Sequence, residues 1–273
     1  MALTFVDDSA DGVDLGASAT ALRDITAGAI LVWAYPTAYP PASFRYMYVS
    51  NQEAGSRTFD IGGSGGTLGP RFILDRDTSN LGIGATTANT PHSAVNTWNC
   101  WAATWNTAGA DTDQHVYGGN LTNALTEVTT YALQTAGSGT VQTEDPTRNP
   151  VIGGLGTGFI RGFPGRIAVV MIFNRQLSLG ELKAQQFNPH VNSGCVGYWN
   201  LHGTGTQPDL SGHGNNGTVF GATASAHVPL RAPFTLWDGW RGAFTVAQGS
   251  AFRPLPFQSL IDRRRLLRRR RSA

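Results

Sequence analysis

The sequence contains little charge, few cysteines and no long apolar run. Charged residues occupy 14% of its 273 positions, and Lys183 is the only lysine. No apolar run reaches the roughly 20 residues that a membrane-spanning helix needs, and the first residues, MALTFVDDSADG, lack the basic and apolar regions of a signal peptide. Cys100 and Cys195 lie far apart in strand-like segments, which favours two buried thiols over a disulfide. We therefore expect neither a transmembrane segment nor a signal peptide.

Glycine and apolar residues are abundant instead. The chain has 34 Gly and 41% hydrophobic residues, and short apolar segments alternate with clusters of Gly, Pro, Asn and Asp. This spacing is typical of an antiparallel sandwich with many strands. In the segment WNCWAATW, alternation puts Trp101 and Trp105 on one face and Trp98 and Cys100 on the other. Because both faces carry bulky side chains, we predict an inner strand whose outer face is also covered.

One helix is predicted, over residues 179–187. Ser178 and Glu181 have the S-x-x-E spacing of a capping box, in which the hydroxyl accepts from the amide three residues on and the carboxylate reaches back. We expect Leu182 and Phe187 of this helix to pack on the edge of the sandwich.

The C-terminus differs in charge from the rest of the chain. Residues 261–273 hold seven of the twenty basic residues, which leaves 13 basic and 17 acidic residues in positions 1–260. Three interpretations stay open. The Arg run binds nucleic acid or an anionic membrane, it binds the acidic surface of a protein partner, or it is a solvated, disordered tail.

A Pro- and aromatic-rich stretch without strand alternation precedes this run. We predict three parts: a sandwich at 1–228, an extended arm at 229–260 and an Arg-rich tail at 261–273. Trp237 and Trp240 are too close in sequence to form two independent sugar subsites, so we interpret them as anchors that dock on the head or on a neighbouring subunit. The predicted partner-anchoring residues are Phe234, Trp237, Trp240, Arg241, Arg263, Arg264, Arg265, Leu266, Leu267, Arg268, Arg269, Arg270 and Arg271.

Three segments, in this order along the chain, resemble laminin-G-like, concanavalin A-like lectin and glucanase domains. NTWNCWAATWNT resembles one strand of that family, HVYGGNL resembles the strand and turn after it, and GRIAVVMIFNRQLSLGELKAQQF resembles the last strand with its short helix. The resemblance covers roughly residues 2–228. It implies an all-β, antiparallel jelly-roll β-sandwich, here with one short helix and an extended C-terminal arm.

Two segments that open the module in many such domains follow the helix in this chain. They are GYWNL, at 197–201, and DLSGHGNNGTVFGA, at 209–222. Either they close the sandwich or they begin a truncated repeat. We expect closure, because too few residues remain for a second sandwich.

Catalytic groups are scarce. Glu53, Glu127, Glu144 and Glu181 are the only glutamates, and none has an acidic residue at i+2 or i+4, as a glycoside hydrolase of this fold would need. Residues 62–66, GGSGG, match G-x-S-x-G, but no helix follows them, so we interpret Ser64 as a loop residue. The sequence therefore predicts a protein that is not an enzyme.

Calcium is the one metal for which candidates exist. The resemblance implies loop carboxylates at the sandwich rim as ligands, and Asp75, Asp77, Asp111 and Asp113 form two i, i+2 pairs in loop-like sequence. Such pairs are also ordinary turn chemistry, which we favour. No other cofactor is predicted, because the six histidines lack metal-binding spacing.

These features predict a non-enzymatic structural or adhesion protein. A lectin-like head would be displayed on a larger assembly, such as a bacteriophage capsid or tail, where it forms homo-oligomers and is held by the arm and tail. Its partners would be that protein assembly, a glycan on the head and nucleic acid at the tail, and its location the virion or the extracellular surface. The alternative is a free carbohydrate-binding lectin, calcium-dependent or not.

Overall fold

The computed structural model describes residues 1–7, 10–38, 44–50, 59–64, 67–78, 81–85, 94–107, 113–156 and 158–230. Within them lie sixteen strands, one α-helix, α1 (Leu179–Phe187), and a 3-10 turn (Thr20–Leu22). The strands are β1 (Ala2–Phe5), β2 (Gly12–Asp14), β3 (Ala27–Pro36), β4 (Arg45–Val49), β5 (Phe59–Ser64), β6 (Thr67–Leu74), β7 (Leu81–Ala85), β8 (Asn99–Asn106), β9 (His115–Asn120), β10 (Thr126–Glu127), β11 (Tyr131–Thr135), β12 (Val151–Ile152), β13 (Gly165–Phe173), β14 (Cys195–Asn200), β15 (Thr218–Phe220) and β16 (Thr223–Ser225).

The strands form two antiparallel sheets of eight strands each. Sheet A has the order β10-β9-β8-β3-β13-β1-β16, with β14 also paired to β13, and sheet B has the order β11-β7-β6-β5-β4-β12-β2-β15. The chain crosses repeatedly between the sheets, so neighbours in space are mostly distant in sequence. The predicted jelly-roll sandwich is therefore confirmed.

The last three strands complete the two sheets. Strand β14 extends along β13 beside β1, β15 pairs with β2, and β16 pairs with β1. The segments GYWNL and DLSGHGNNGTVFGA thus close the sandwich, as expected, and do not begin a repeat. The chain divides into two units, Met1–Arg231 and Ala232–Ala273. The boundaries predicted at residues 228 and 260 stay predictions, because residues 231–273 lie outside the described part of the chain.

Apolar side chains are buried on both faces of sheet A. Trp101 and Trp105 lie in the core between the sheets, where the Trp105 ring stacks on Phe72 with 5.2 Å between centroids. Trp98 and Cys100 point to the outer face of sheet A and are buried there. The two-faced strand predicted from WNCWAATW is confirmed. Cys100 and Cys195 are both free and buried thiols, as predicted, and burial raises the pKa of Cys195 to about 11.

Helix α1 has the predicted bounds and the predicted cap. The Ser178 hydroxyl accepts from the Glu181 amide, and the Glu181 carboxylate accepts from the Ser178 amide at 2.8 Å. The helix lies on the outer face of sheet A rather than at its edge, since the Trp33 indole donates to the Gln186 carbonyl. Leu182 is buried as expected, whereas Phe187, the last residue of the helix, is 39% exposed. Among the described residues, no helix has the length and apolarity required to cross a membrane.

The glycine-rich segment at residue 62 is a strand rather than a loop. Strand β5 runs to Ser64 and pairs with β4, which corrects the interpretation of Ser64 as a loop residue. A Cβ atom at Gly62 would overlap the Arg45 carbonyl of the neighbouring strand. Glycine is needed there because it permits a close approach of two backbones.

Candidate functional site

Several loops meet at one end of the sandwich, which we call the loop end: residues 15–26, 75–78, 107, 113–114 and 136–150. Backbone hydrogen bonds join these loops to one another. Thr107 donates to the Thr26 carbonyl at 2.7 Å, and Gln142 donates to the Asp75 carbonyl at 3.0 Å. Asp75, Asp77 and Asp113, the described members of the predicted calcium set, lie in these loop segments.

The Asp77 carboxylate links two loops at this end of the molecule. Its carboxylate accepts from the Thr140 hydroxyl at 2.6 Å, from the Thr140 amide at 3.0 Å and from the Thr78 hydroxyl at 3.2 Å. The Thr140 hydrogen bond lowers the pKa of the Asp77 carboxyl, so the group is ionised at neutral pH. Asp77 therefore fits the turn interpretation of the sequence.

The other members of the set are placed differently. Asp75 is buried, and the Asp113 carbonyl accepts from the Gln176 side chain at 3.2 Å. Asp111 lies outside the described residues. In the described ranges, no group of three His, Cys, Asp or Glu side chains is arranged to hold a metal ion, so a calcium site at the loop end stays a prediction.

Arg23 joins two of the loops at this end, residues 15–26 and 136–150. Its guanidinium donates to the carbonyls of Asp145 at 2.7 Å, Arg148 at 2.6 Å and Ala17 at 3.0 Å. Charge-assisted hydrogen bonds of this kind are stronger than neutral ones. Sequence analysis did not predict this contact, because Asp145 and Arg148 lie more than a hundred residues from Arg23. We interpret the cluster as structural.

An exposed His–Glu pair lies further along sheet A. His115 and Glu127 face each other on β9 and β10, with 2.6 Å between Nδ1 and Oε1. Next to them the Thr104 and Tyr117 hydroxyls lie 3.5 Å apart and are buried. The Tyr117 ring is thus not available as a stacking surface, and the pair offers polar groups only.

The chain leaves the sandwich over the outer face of sheet A. His227 Nε2 lies 3.3 Å from the Ala168 carbonyl of β13, Val228 is buried in the apolar layer on this face, and Leu230 packs against the same layer. We call residues 226–230 the exit segment. All predicted partner-anchoring residues, Phe234 to Arg271, lie beyond it and outside the described residues.

Exposed aromatic rings are rare in the described part of the chain. Trp33, Trp98, Trp101, Trp105 and Trp199 are each at most 9% exposed, so none of them offers an open ring face. Phe187 and Phe220 are the exposed aromatic side chains, at 39% and 46%. Phe220 lies on β15, at the edge of sheet B, and sequence reasoning did not single it out.

No family model and no curated protein matches this chain. Among solved structures, it is similar to a Bacteroides ovatus protein to which carbohydrate binding is provisionally assigned, with 14% identity and a TM-score of 0.48 over 76% of this chain and 56% of that chain. It is also similar to the CBM40 module of a Ruminococcus gnavus IT-sialidase bound to α2,3-sialyllactose, with 17% identity and a TM-score of 0.47 over 67% of this chain and 94% of the module.

A third similar structure is the LG4-5 domain pair of the mouse laminin α1 chain, with 14% identity and a TM-score of 0.41 over 66% of this chain and 43% of that chain. It represents the family that the sequence motifs resemble. The chain spans little more than half of the Bacteroides protein. Identities this low mark a likeness of fold alone.

Proposed function

We propose that this protein is a non-enzymatic, lectin-like head that is displayed on a larger assembly and binds glycans. The assembly is a bacteriophage capsid or tail, and the C-terminal arm and tail attach the head to it. The alternative is a free carbohydrate-binding lectin. Two features support the proposal: the sandwich fold and the basic C-terminal segment that follows it.

The position of the exit segment is the observation that carries this proposal. The chain leaves the sandwich on the outer face of sheet A, where Val228 and Leu230 are packed, and 43 residues follow, seven of them arginines of the tail. The exposed Phe220 lies on sheet B instead. An attachment through the C-terminus would therefore start on the sheet A side of the sandwich.

The described glutamates support a non-enzymatic role. Glu181 is used in the helix cap, Glu144 is buried, and Glu127 pairs with His115. A glycosidase needs two carboxyl groups about 5–10 Å apart on either side of a sugar. Glu53, the fourth glutamate, lies outside the described residues.

Incorporation into particles tests the attachment. We would count copies of the full chain and of a chain ending at residue 231, by peptide mass spectrometry of density-gradient-purified particles. The shorter chain keeps all sixteen strands and the exit segment, so we expect it to fold but to be missing from particles. A full-length variant with the seven tail arginines changed to serine separates the tail from the arm. Normal incorporation of the shorter chain would show that the attachment is elsewhere.

Glycan binding is tested on the full chain alone. We would screen it on a glycan array with and without a chelator of divalent cations, and we expect binding to a limited set of glycans. If the protein binds glycans but is absent from purified particles, the free lectin is the correct alternative. If it is stoichiometric in particles and binds no glycan, its role is architectural.

A further inference from the structure

Phe220 is an exposed ring that is held in place from one side. It stacks on the buried Phe159, with 5.3 Å between ring centroids and 27° between ring planes. Because Phe159 covers one face of the Phe220 ring, its exposed area is the opposite face. A stacking ligand would meet a ring that is already oriented, so little conformational entropy would be lost on binding.

The backbone at Phe159 has an unusual conformation, which sets the position of its ring. Phe159 and Arg161 both have left-handed backbone angles, with φ of 49° and 55°, which cost energy for residues with a Cβ atom. The Phe159 ring lies against Gly12, where a Cβ atom would overlap it. The turn is closed by the Leu155 amide, which donates to the Ile160 carbonyl at 2.8 Å. Strained backbone at residues other than glycine is found preferentially at functional sites.

Polar side chains lie beside the ring on the same face of sheet B. Phe220 pairs with Gly12 across the β15–β2 ladder, and Thr218 pairs with Asp14. Residues two apart in a strand point to the same side, roughly 6.6 Å apart, so the exposed Thr218 and the Asp14 carboxylate follow Phe220 along the edge. Asn149 donates its amide to Asp14 at 2.7 Å. An aromatic ring followed by hydroxyl, carboxylate and amide groups offers both stacking and hydrogen bonding.

We propose that this edge of sheet B is a saccharide-binding site, in which a sugar ring stacks on Phe220 and its hydroxyls bond to Thr218 and to the Asp14–Asn149 pair. The proposal rests on the proposed glycan-binding function and gives it a location at the edge of sheet B. The ligand class follows from the size of the site. One ring and a few polar groups match a sugar, whereas a stable protein interface takes about 20–30 residues on each side.

The test compares two exposed phenylalanines in the full-length protein. We would titrate the best glycan from the array into wild type, Phe220→Ala and Phe187→Ala by isothermal calorimetry. Phe187 has a similar exposure but lies at the end of α1, outside the proposed site. We expect at least tenfold weaker binding for Phe220→Ala, unchanged binding for Phe187→Ala and retained binding for Phe220→Trp. Thermal unfolding of each variant verifies the fold, which an exposed ring is not needed to maintain.

A second pair of variants tests the polar groups. Thr218→Val removes the hydroxyl but keeps the shape of the side chain, and we expect about threefold weaker binding, whereas Thr218→Ser should bind like wild type. If wild type binds glycans and Phe220→Ala binds them equally well, the head is a lectin and the site lies elsewhere. If wild type binds no glycan, the proposed function fails together with the site.

Discussion

The outer faces of the two sheets are covered in different ways. On sheet A, residues of helix α1 and of the exit segment pack in the apolar layer that contains Trp33, Met171 and Phe173. On the outer face of sheet B, Tyr46 and Val151 belong to a smaller apolar cluster. An irregular turn contributes Leu155 and Phe159 to this cluster. Among the described residues, Phe220 at the edge of sheet B is 46% exposed, whereas Trp33, Met171 and Phe173 on sheet A are fully buried.

Hydrogen bonds of the Gln186 side chain hold helix α1 in place on sheet A. This buried side chain accepts from the Leu125 amide at 2.6 Å and donates to the carbonyls of Asn120 and Asn123, both at 2.8 Å. A buried polar group that is fully paired fixes one arrangement of its neighbours. The helix is thus tied to the loop after β9 as well as to the sheet.

The largest effect is expected from Trp33, under the helix. Trp33→Ala removes a fully buried ring and its bond to the Gln186 carbonyl, and we expect a loss of about 3–5 kcal/mol in the free energy of unfolding. Urea denaturation followed by circular dichroism measures it. Phe187→Ala, an exposed position on the same helix, is the control and should change stability by less than about 0.5 kcal/mol. A loss under 1 kcal/mol for Trp33→Ala would mean that the helix does not seal sheet A.

A smaller effect is expected for Phe159, under the turn of sheet B. Phe159→Ala should cost about 2–3 kcal/mol, less than Trp33→Ala, because the site borders solvent and can relax. Phe159→Gly loses the same ring but adopts a φ of 49° freely, so we expect it to be about 0.5–1 kcal/mol more stable than Phe159→Ala. Equal stability of the two variants in urea denaturation would show that the left-handed backbone is not strained.

The helix cap contributes less again. Ser178→Ala removes the side chain that accepts from the Glu181 amide, and loss of such a cap costs about 1 kcal/mol. Ser178→Thr keeps the hydroxyl and is the matched control. Hydrogen exchange of the first turn of α1, measured for both variants, should accelerate only in Ser178→Ala; equal exchange in the two would contradict a role for the cap.

The smallest effect concerns pH. The hydrogen bond from Arg175, together with that from the Ser178 amide, lowers the pKa of Glu181 from 4.5 to about 2. A carboxyl with a lowered pKa stabilises the folded state above its ordinary value, and that stability is lost as pH falls towards 2. Because Glu181 is 37% exposed, its contribution is less than about 1 kcal/mol. Between pH 5 and 2, the melting temperature of Glu181→Gln should fall less steeply than that of wild type. Parallel curves for the two proteins would contradict this.

The covering of sheet A was largely predictable from sequence, because its signals are local. The spacing of Ser178 and Glu181 fixed the start of α1, and alternation in WNCWAATW separated the inner Trp101 from the outer Cys100. Glycine was less informative. Gly62 lies in a strand, where it allows close contact with the neighbouring strand. Composition alone does not distinguish such a glycine from a loop glycine.

The candidate saccharide site was not predictable in the same way. It needs Phe159, Phe220 and Gly12 to meet, and these residues are far apart in the chain. It also needs left-handed backbone at Phe159, whereas sequence rules assign that conformation to glycine. The sequence does contain the strand TVF at 218–220, but nothing in it shows that the outer face of Phe220 would remain open.

The pairing of the first and last strands has a consequence for synthesis on the ribosome. Among the described residues, strand β1 pairs with β13 and β16 alone. At about 5–20 residues per second, translation from β1 to the start of β13 at Gly165 takes roughly 8–33 s. During that time the first strand to be made has none of its native neighbours. A nascent chain arrested before residue 225 would keep an open sheet edge, which is a site for pairing with other chains.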